Sequence, residues 1–285
     1  MKLYKDILQS NYQTTDIISD ALVTMLPNIA RRIIEVRSEN ENFIENPDDP
    51  KEHVINWHQF GIITHTRHVL KSFQIDAPKL FAKWEIDKKI NDKLGNKIDG
   101  KSMLELIKIG IVLHDIGKFA RNFKEQDGKV EHNFYGHEAI SEHLIGKKFI
   151  SKLLNESFKL SFPQIKYIGR IAGLHFELGK SRDAARKALH GYSIVFSKSE
   201  DWLKSCIDIA SNYPEFKEEI GILFLCDSLG KTDIRINVET DEEIDQQESF
   251  IKKNLEERKL NPSLLAAVKQ LPVNIAITKK YLESI

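Results

Sequence analysis

Six polar residues stand where an apolar side chain is expected. In "IKIGIVLHDIGKFARNF" (107–123), Ile107, Ile111 and His114 share one helical face, and Asp115 follows Ile111 by four residues. The same phase recurs elsewhere. Ile62, His65 and Val69 line up in "WHQFGIITHTRHVL", and His137 lines up with Ile140 and Leu144 in "YGHEAISEHL". His175 follows Ile165, Ile168 and Ala172, and Asp227 follows Ile220 and Leu223. Burying a lone carboxylate costs several kcal/mol unless it is paired or holds a metal. One such histidine is ordinarily a core residue bonded to a carbonyl. Four imidazoles and two carboxylates converging in a helical core instead make a site for one or two divalent transition metals, because nitrogen and carboxylate oxygen suit iron, manganese, zinc, nickel or cobalt.

The elements that must position these residues read as nearly all helix. Apolar spacing of three and four places helices at 14–37, 57–74, 76–86, 102–119, 137–147, 149–157, 162–176, 181–190, 199–211, 214–230, 242–257 and 262–283, the last breaking near Pro272. Pro163 suits the first turn of its helix. Residues 45–52 read as a turn-rich linker, and 87–101 and 124–136 as polar loops bordering the site mouth. The expected organisation is a single domain over 1–285, with a core at about 57–231, an N-terminal helical extension at 1–56 and a C-terminal one at 232–285.

Composition bounds the rest. Forty-two basic and 42 acidic residues cancel over 285 positions, so net charge gives no support to a nucleic-acid or membrane partner. Cys206 and Cys226 form no CxxC, which argues against a cysteine zinc site and a disulfide scaffold. No signal-like stretch opens the chain and no run approaches transmembrane length, so the expectation is a cytoplasmic protein.

The order H…HD…H…H…D, carried by "HTRHV", "LHDIGK", "GHE", "IAGLH" and "LCDSLGK", resembles the HD-domain superfamily of metal-dependent phosphohydrolases. The resemblance implies an all-α HD-domain helical bundle. It implies that His65, His114, Asp115 and Asp227 hold one metal, that His137 and His175 hold a second, and that Asp115 bridges. Histidines at both middle positions favour the two-metal branch, with iron, manganese, nickel, cobalt, zinc or magnesium as the ion. The implied activity is hydrolysis of a phosphate ester by a metal-activated hydroxide, as a phosphodiesterase or phosphatase on a small, nucleotide-type substrate. Asp115 would be central to it, Lys118 resembles the family lysine that meets the phosphate, Arg121 would assist, and His132 would touch substrate or a neighbouring group. Other readings stay open: a nuclease of the CRISPR interference kind acting on single strands, a di-iron oxygenase, or a non-catalytic signalling module. His68 reads as structural, His53, His58, His143 and His190 as surface or packing, and Lys231, Arg182 and Arg186 as solvated.

Overall fold

The computed structural model describes residues 17–36, 46–54, 56–120, 123–126, 129–132, 134–189 and 193–285. The described residues form an all-α bundle with two short hairpins. Helices α1 (Ile17–Val36), α2 (Ile62–Lys71), α3 (Ala77–Lys83), α4 (Asp87–Gly95) and α5 (Met103–Leu113) come first. A π-helical turn, Ser72–Asp76, joins α2 to α3. Then follow α6 (His137–Gly146), α7 (Lys148–Phe158), α8 (Phe162–Leu174), α9 (Glu177–Leu189), α10 (Glu200–Asn212) and α11 (Lys217–Gly230). The chain closes with α12 (Asp241–Gln246), α13 (Glu248–Glu257) and α14 (Leu265–Ser284).

Helix α5 is the axis. Ile107, Ile109, Ile111, Val112 and Leu113 are all buried, so it is apolar on every side and must be enclosed. It packs against α1, α2 and α8, while α11 packs against α2 and α14. Capping boxes start the two helices that end on candidate ligands. Ser102 and Glu105 open α5, and Ser161 and Gln164 open α8 with Pro163 in its first turn.

Several expected boundaries move. The 102–119 helix stops at Leu113 and continues as a 3-10 turn, Ile116–Ala120. Pro272 does not break the last helix. Leu271, Pro272, Val273 and Ile277 are buried there, and their packing outweighs the backbone bond that proline removes. The expected helix at 242–257 divides into α12 and α13 at Gln247.

Both polar loops hold structure. In 87–101, Ile90 and Leu94 are buried four residues apart on α4, and a hairpin pairs Lys97–Ile98 with Lys101–Ser102. This segment does not border the site. It packs at the start of α5, and eleven residues of helix put that end about 16 Å from His114. In 124–136, Phe123–Gln126 pairs with Lys129–His132, and the Asp-Gly turn between them lies outside the described residues. Among the described residues, no helix is long and apolar enough to cross a membrane.

Candidate metal centre

Five helices meet at one point, four of them by an end. His65 lies in the middle of α2, His114 caps the C-terminus of α5, His137 is the first residue of α6, and His175 caps α8. Asp227 comes from the last turn of α11. Two glycines permit this convergence. A Cβ on Gly117 would meet the His137 carbonyl oxygen at 2.1 Å and Ser141 N at 2.8 Å, so only glycine lets the turn after Asp115 touch α6. A Cβ on Gly230 would meet Val69 Cγ2 at 2.5 Å, and its absence brings the Gly230 carbonyl 3.1 Å from His65 Nδ1.

The four imidazoles are held in one tautomer. Each Nδ1–H donates to a backbone carbonyl: His65 to Gly230 at 3.1 Å, His114 to Ile111 at 2.6 Å, His137 to Phe134 at 2.8 Å and His175 to Ala172 at 2.7 Å. A carbonyl accepts only, so each Nδ1 carries the proton and each Nε2 turns a lone pair inward. This is the arrangement that orients ligating histidines in metal proteins.

Asp115 stands between two groups. Its Oδ1 lies 3.0 Å from His137 Nε2 and 3.8 Å from His175 Nε2, and its Oδ2 lies 3.3 Å from His114 Nε2 and 3.6 Å from His65 Nε2. Asp227 Oδ1 is 3.0 Å from His65 Nε2 and 3.9 Å from His114 Nε2. The donor atoms of His65, His114 and Asp227 lie within 4.8 Å of one another, as do those of His114, Asp115 and His175. His114 therefore faces both groups.

The donor set fits a cation. His137 and His175 point Nε2 atoms at each other across 3.3 Å. Two neutral acceptors at that distance repel unless a positive charge lies between them. Nitrogens bound to one tetrahedral zinc at about 2.0–2.1 Å sit about 3.3 Å apart. His114 Nε2 and Asp115 Oδ1 are buried with no hydrogen-bond partner, although carboxylate and imidazole atoms crowd both. A divalent ion would satisfy these atoms.

The electrostatics agree. Burial alone would raise the Asp115 carboxyl, but His114 and Lys118 beside it hold it well below the usual carboxylate range. Burial is likewise outweighed at Asp227, where Lys231 and His65 hold the carboxyl down. Burial lowers His65 and pushes His175 well down, which keeps both rings neutral. At His114 burial acts in the same sense, but the Asp115 charge overcomes it and the pKa is raised.

Each carboxylate also meets a lysine. Lys118 Nζ donates to Asp115 Oδ2 at 2.7 Å, and Lys231 Nζ lies 3.1 Å from Asp227 Oδ2. Lys118 is buried, so it is no ordinary helix-end lysine, and half-buried Lys231 is not the solvated side chain expected. Arg182 also departs from a solvated face. It is buried between the Phe176 and Phe224 rings and donates to Asn274 Oδ1 at 2.8 Å. Arg121 lies outside the described residues, and of His132 only the backbone is described, paired with Phe123.

Two residues that periodicity did not single out stand behind the site. His53 and His58 are buried, their rings stacked at 3.6 Å, with His58 edge-on to His65 at 4.6 Å. Both carry pKa values well below normal, burial being the largest cause. Both are buried rather than at the surface. The signal available was four histidines within sixteen residues, His53, His58, His65 and one more at His68, whose ring stacks on Phe60 at 4.0 Å.

A family model for the HD domain matches residues 79–230, more than half of the chain. The chain belongs to the HD-domain family, whose members bind divalent metals and are mostly metal-dependent phosphohydrolases. The match spans His114, Asp115, His137, His175 and Asp227; His65 precedes it. No curated protein matches the chain, and no solved structure does.

Proposed function

We propose that this protein is a metal-dependent phosphodiesterase or phosphatase that acts on a small phosphate ester of the nucleotide type. The observation that carries the reading is the inward set of Nε2 lone pairs around Asp115, with a lysine ammonium against each aspartate. His65, His114, Asp115 and Asp227 would hold one ion, and His137 and His175, with Asp115, a second. Bound ions of this kind lower the pKa of a coordinated water and neutralise phosphate oxygens.

The protein's own residues supply the rest. The backbone carbonyls fix the imidazoles, so no reorganisation is needed when charge develops. The ionised carboxylates keep their charge across the neutral range. Lys118 and Lys231 add positive charge at the site edge, where a phosphate oxygen would lie. This pairing of ligands with lysines favours phosphate chemistry over a di-iron oxygenase, and the filled ligand set speaks against a signalling module. The near-zero net charge supports a small-molecule substrate over a nucleic-acid strand. We take the chain as one cytoplasmic domain, its core at about 57–231 flanked by terminal helices.

The test is metal analysis of purified protein together with hydrolysis of bis-p-nitrophenyl phosphate and p-nitrophenyl phosphate, with Asp115→Ala as control. Bound metal and Asp115-dependent cleavage are expected, and the preferred ester separates diesterase from phosphatase. Bound iron with neither ester cleaved would move the reading to an oxygenase. Protein that takes up no metal would leave only the binding module.

A further inference from the structure

We propose that His53 is a positioning residue that aims Lys118 at the substrate phosphate; this rests on the hydrolase reading above. The segment before α2 brings His53 to the ammonium. Its Nδ1–H donates to the Phe60 carbonyl at 2.9 Å, which leaves Nε2 as an acceptor. Lys118 Nζ donates to that Nε2 at 2.9 Å and to Asp115 Oδ2 at 2.7 Å. Two of its three N–H bonds are thereby fixed. Among the described residues the third meets no hydrogen-bond acceptor, and the Phe134 ring lies 5.8 Å away. Stacking on His58 holds the His53 ring in plane.

The choice of a neutral acceptor matters. A carboxylate in place of His53 would cancel the ammonium charge. An apolar residue would leave the buried lysine held by Asp115 alone, free to swing about its four-carbon stem. A neutral imidazole fixes direction and leaves the charge for an anion. The residues concerned, His53, His58 and Phe60, precede the stretch matched by the family model.

The experiment is steady-state kinetics on the ester that the manganese-loaded protein cleaves, with His53→Leu, His53→Gln, Lys118→Met and the double variant His53→Leu/Lys118→Met. His53→Leu is expected to lower kcat/KM about 10-fold. His53→Gln, whose side-chain oxygen can accept from Lys118, should recover to within about 3-fold of the wild type. On the Lys118→Met background, His53→Leu should change kcat/KM by less than about 2-fold, because the group it acts through is gone. Calorimetric manganese affinity should stay within about 2-fold of wild type in each single His53 variant. Should His53→Leu fail to fold, His53→Asn keeps the bond to Phe60 but is too short for Lys118, and serves in its place. Losses that add in the double variant, or a glutamine variant as poor as leucine, would overturn the inference alone. Wild-type protein that cleaves neither ester would overturn the hydrolase reading and this inference with it.

Discussion

His137 and His175 turn their Nε2 atoms toward each other at 3.3 Å while both Nδ1–H groups are committed to backbone carbonyls. Neither ring can flip to relieve the contact without orphaning a buried N–H. The metal-free protein is thus short of positive charge at this point. Saturating manganese is expected to raise the melting temperature, the stabilisation reaching about 2.7 kcal/mol at 100 times Kd. His175→Ala should remove most of that gain. Thermal unfolding with chelator and with metal measures both, and identical curves would refute the proposed centre.

Metal affinity should depend on pH through His114. Its raised pKa means that a proton on Nε2 competes with the ion for one lone pair. Affinity should weaken as pH falls through that raised value, by up to about tenfold per pH unit for one proton. Above it affinity should level off. Asp115 and Asp227, held well below the ordinary range, add nothing in this window. Calorimetry between about pH 5.5 and pH 8.5 tests this; a flat profile would count against it.

Gly117→Ala should damage the site without touching a ligand. Its Cβ would fall 2.1 Å from the His137 carbonyl oxygen, which is backbone and has little room to move. A cost of about 1–3 kcal/mol is expected from the overpacking, with weakened metal uptake as α6 shifts. Denaturant unfolding and metal analysis of the variant give the answer; wild-type values in both would sink the close-approach argument.

The capping box of α5 should make part of the stability acid-sensitive. The Ser102 backbone N–H, helped by its hydroxyl, holds the Glu105 carboxyl below its ordinary pKa. A depressed carboxylate contributes stability that is fully present above the unfolded value, about 4.3, and is lost as pH falls through the folded value. Ser102→Ala should cost about 1 kcal/mol at neutral pH. Glu105→Gln, which removes the titrating carboxyl, should flatten the acid limb of the stability profile, and an unchanged limb would show that the cap does not titrate.

The six candidate ligands were legible because each interrupts an apolar helical row, and phase alone then points the side chain inward. His53 and His58 were not, since they lie in turns where no period assigns a face; their burial is decided by what packs over them. The hairpin at Phe123–His132 escaped for a related reason: its strands are too polar to alternate, and only the Asp-Gly pair marked the turn. The helix through Pro272 shows the reverse error, a strong local signal overruled by buried neighbours.

The bond from His65 to the Gly230 carbonyl closes a span of 165 residues. During synthesis, four imidazoles and one of the two carboxylates leave the ribosome long before this carbonyl does. Until then the His65 ring has nothing to fix its tautomer, and Asp227 is missing altogether. A nascent chain would offer loose, poorly selective donors to whichever ion is most abundant. The donor geometry that would select a metal therefore belongs to the finished fold.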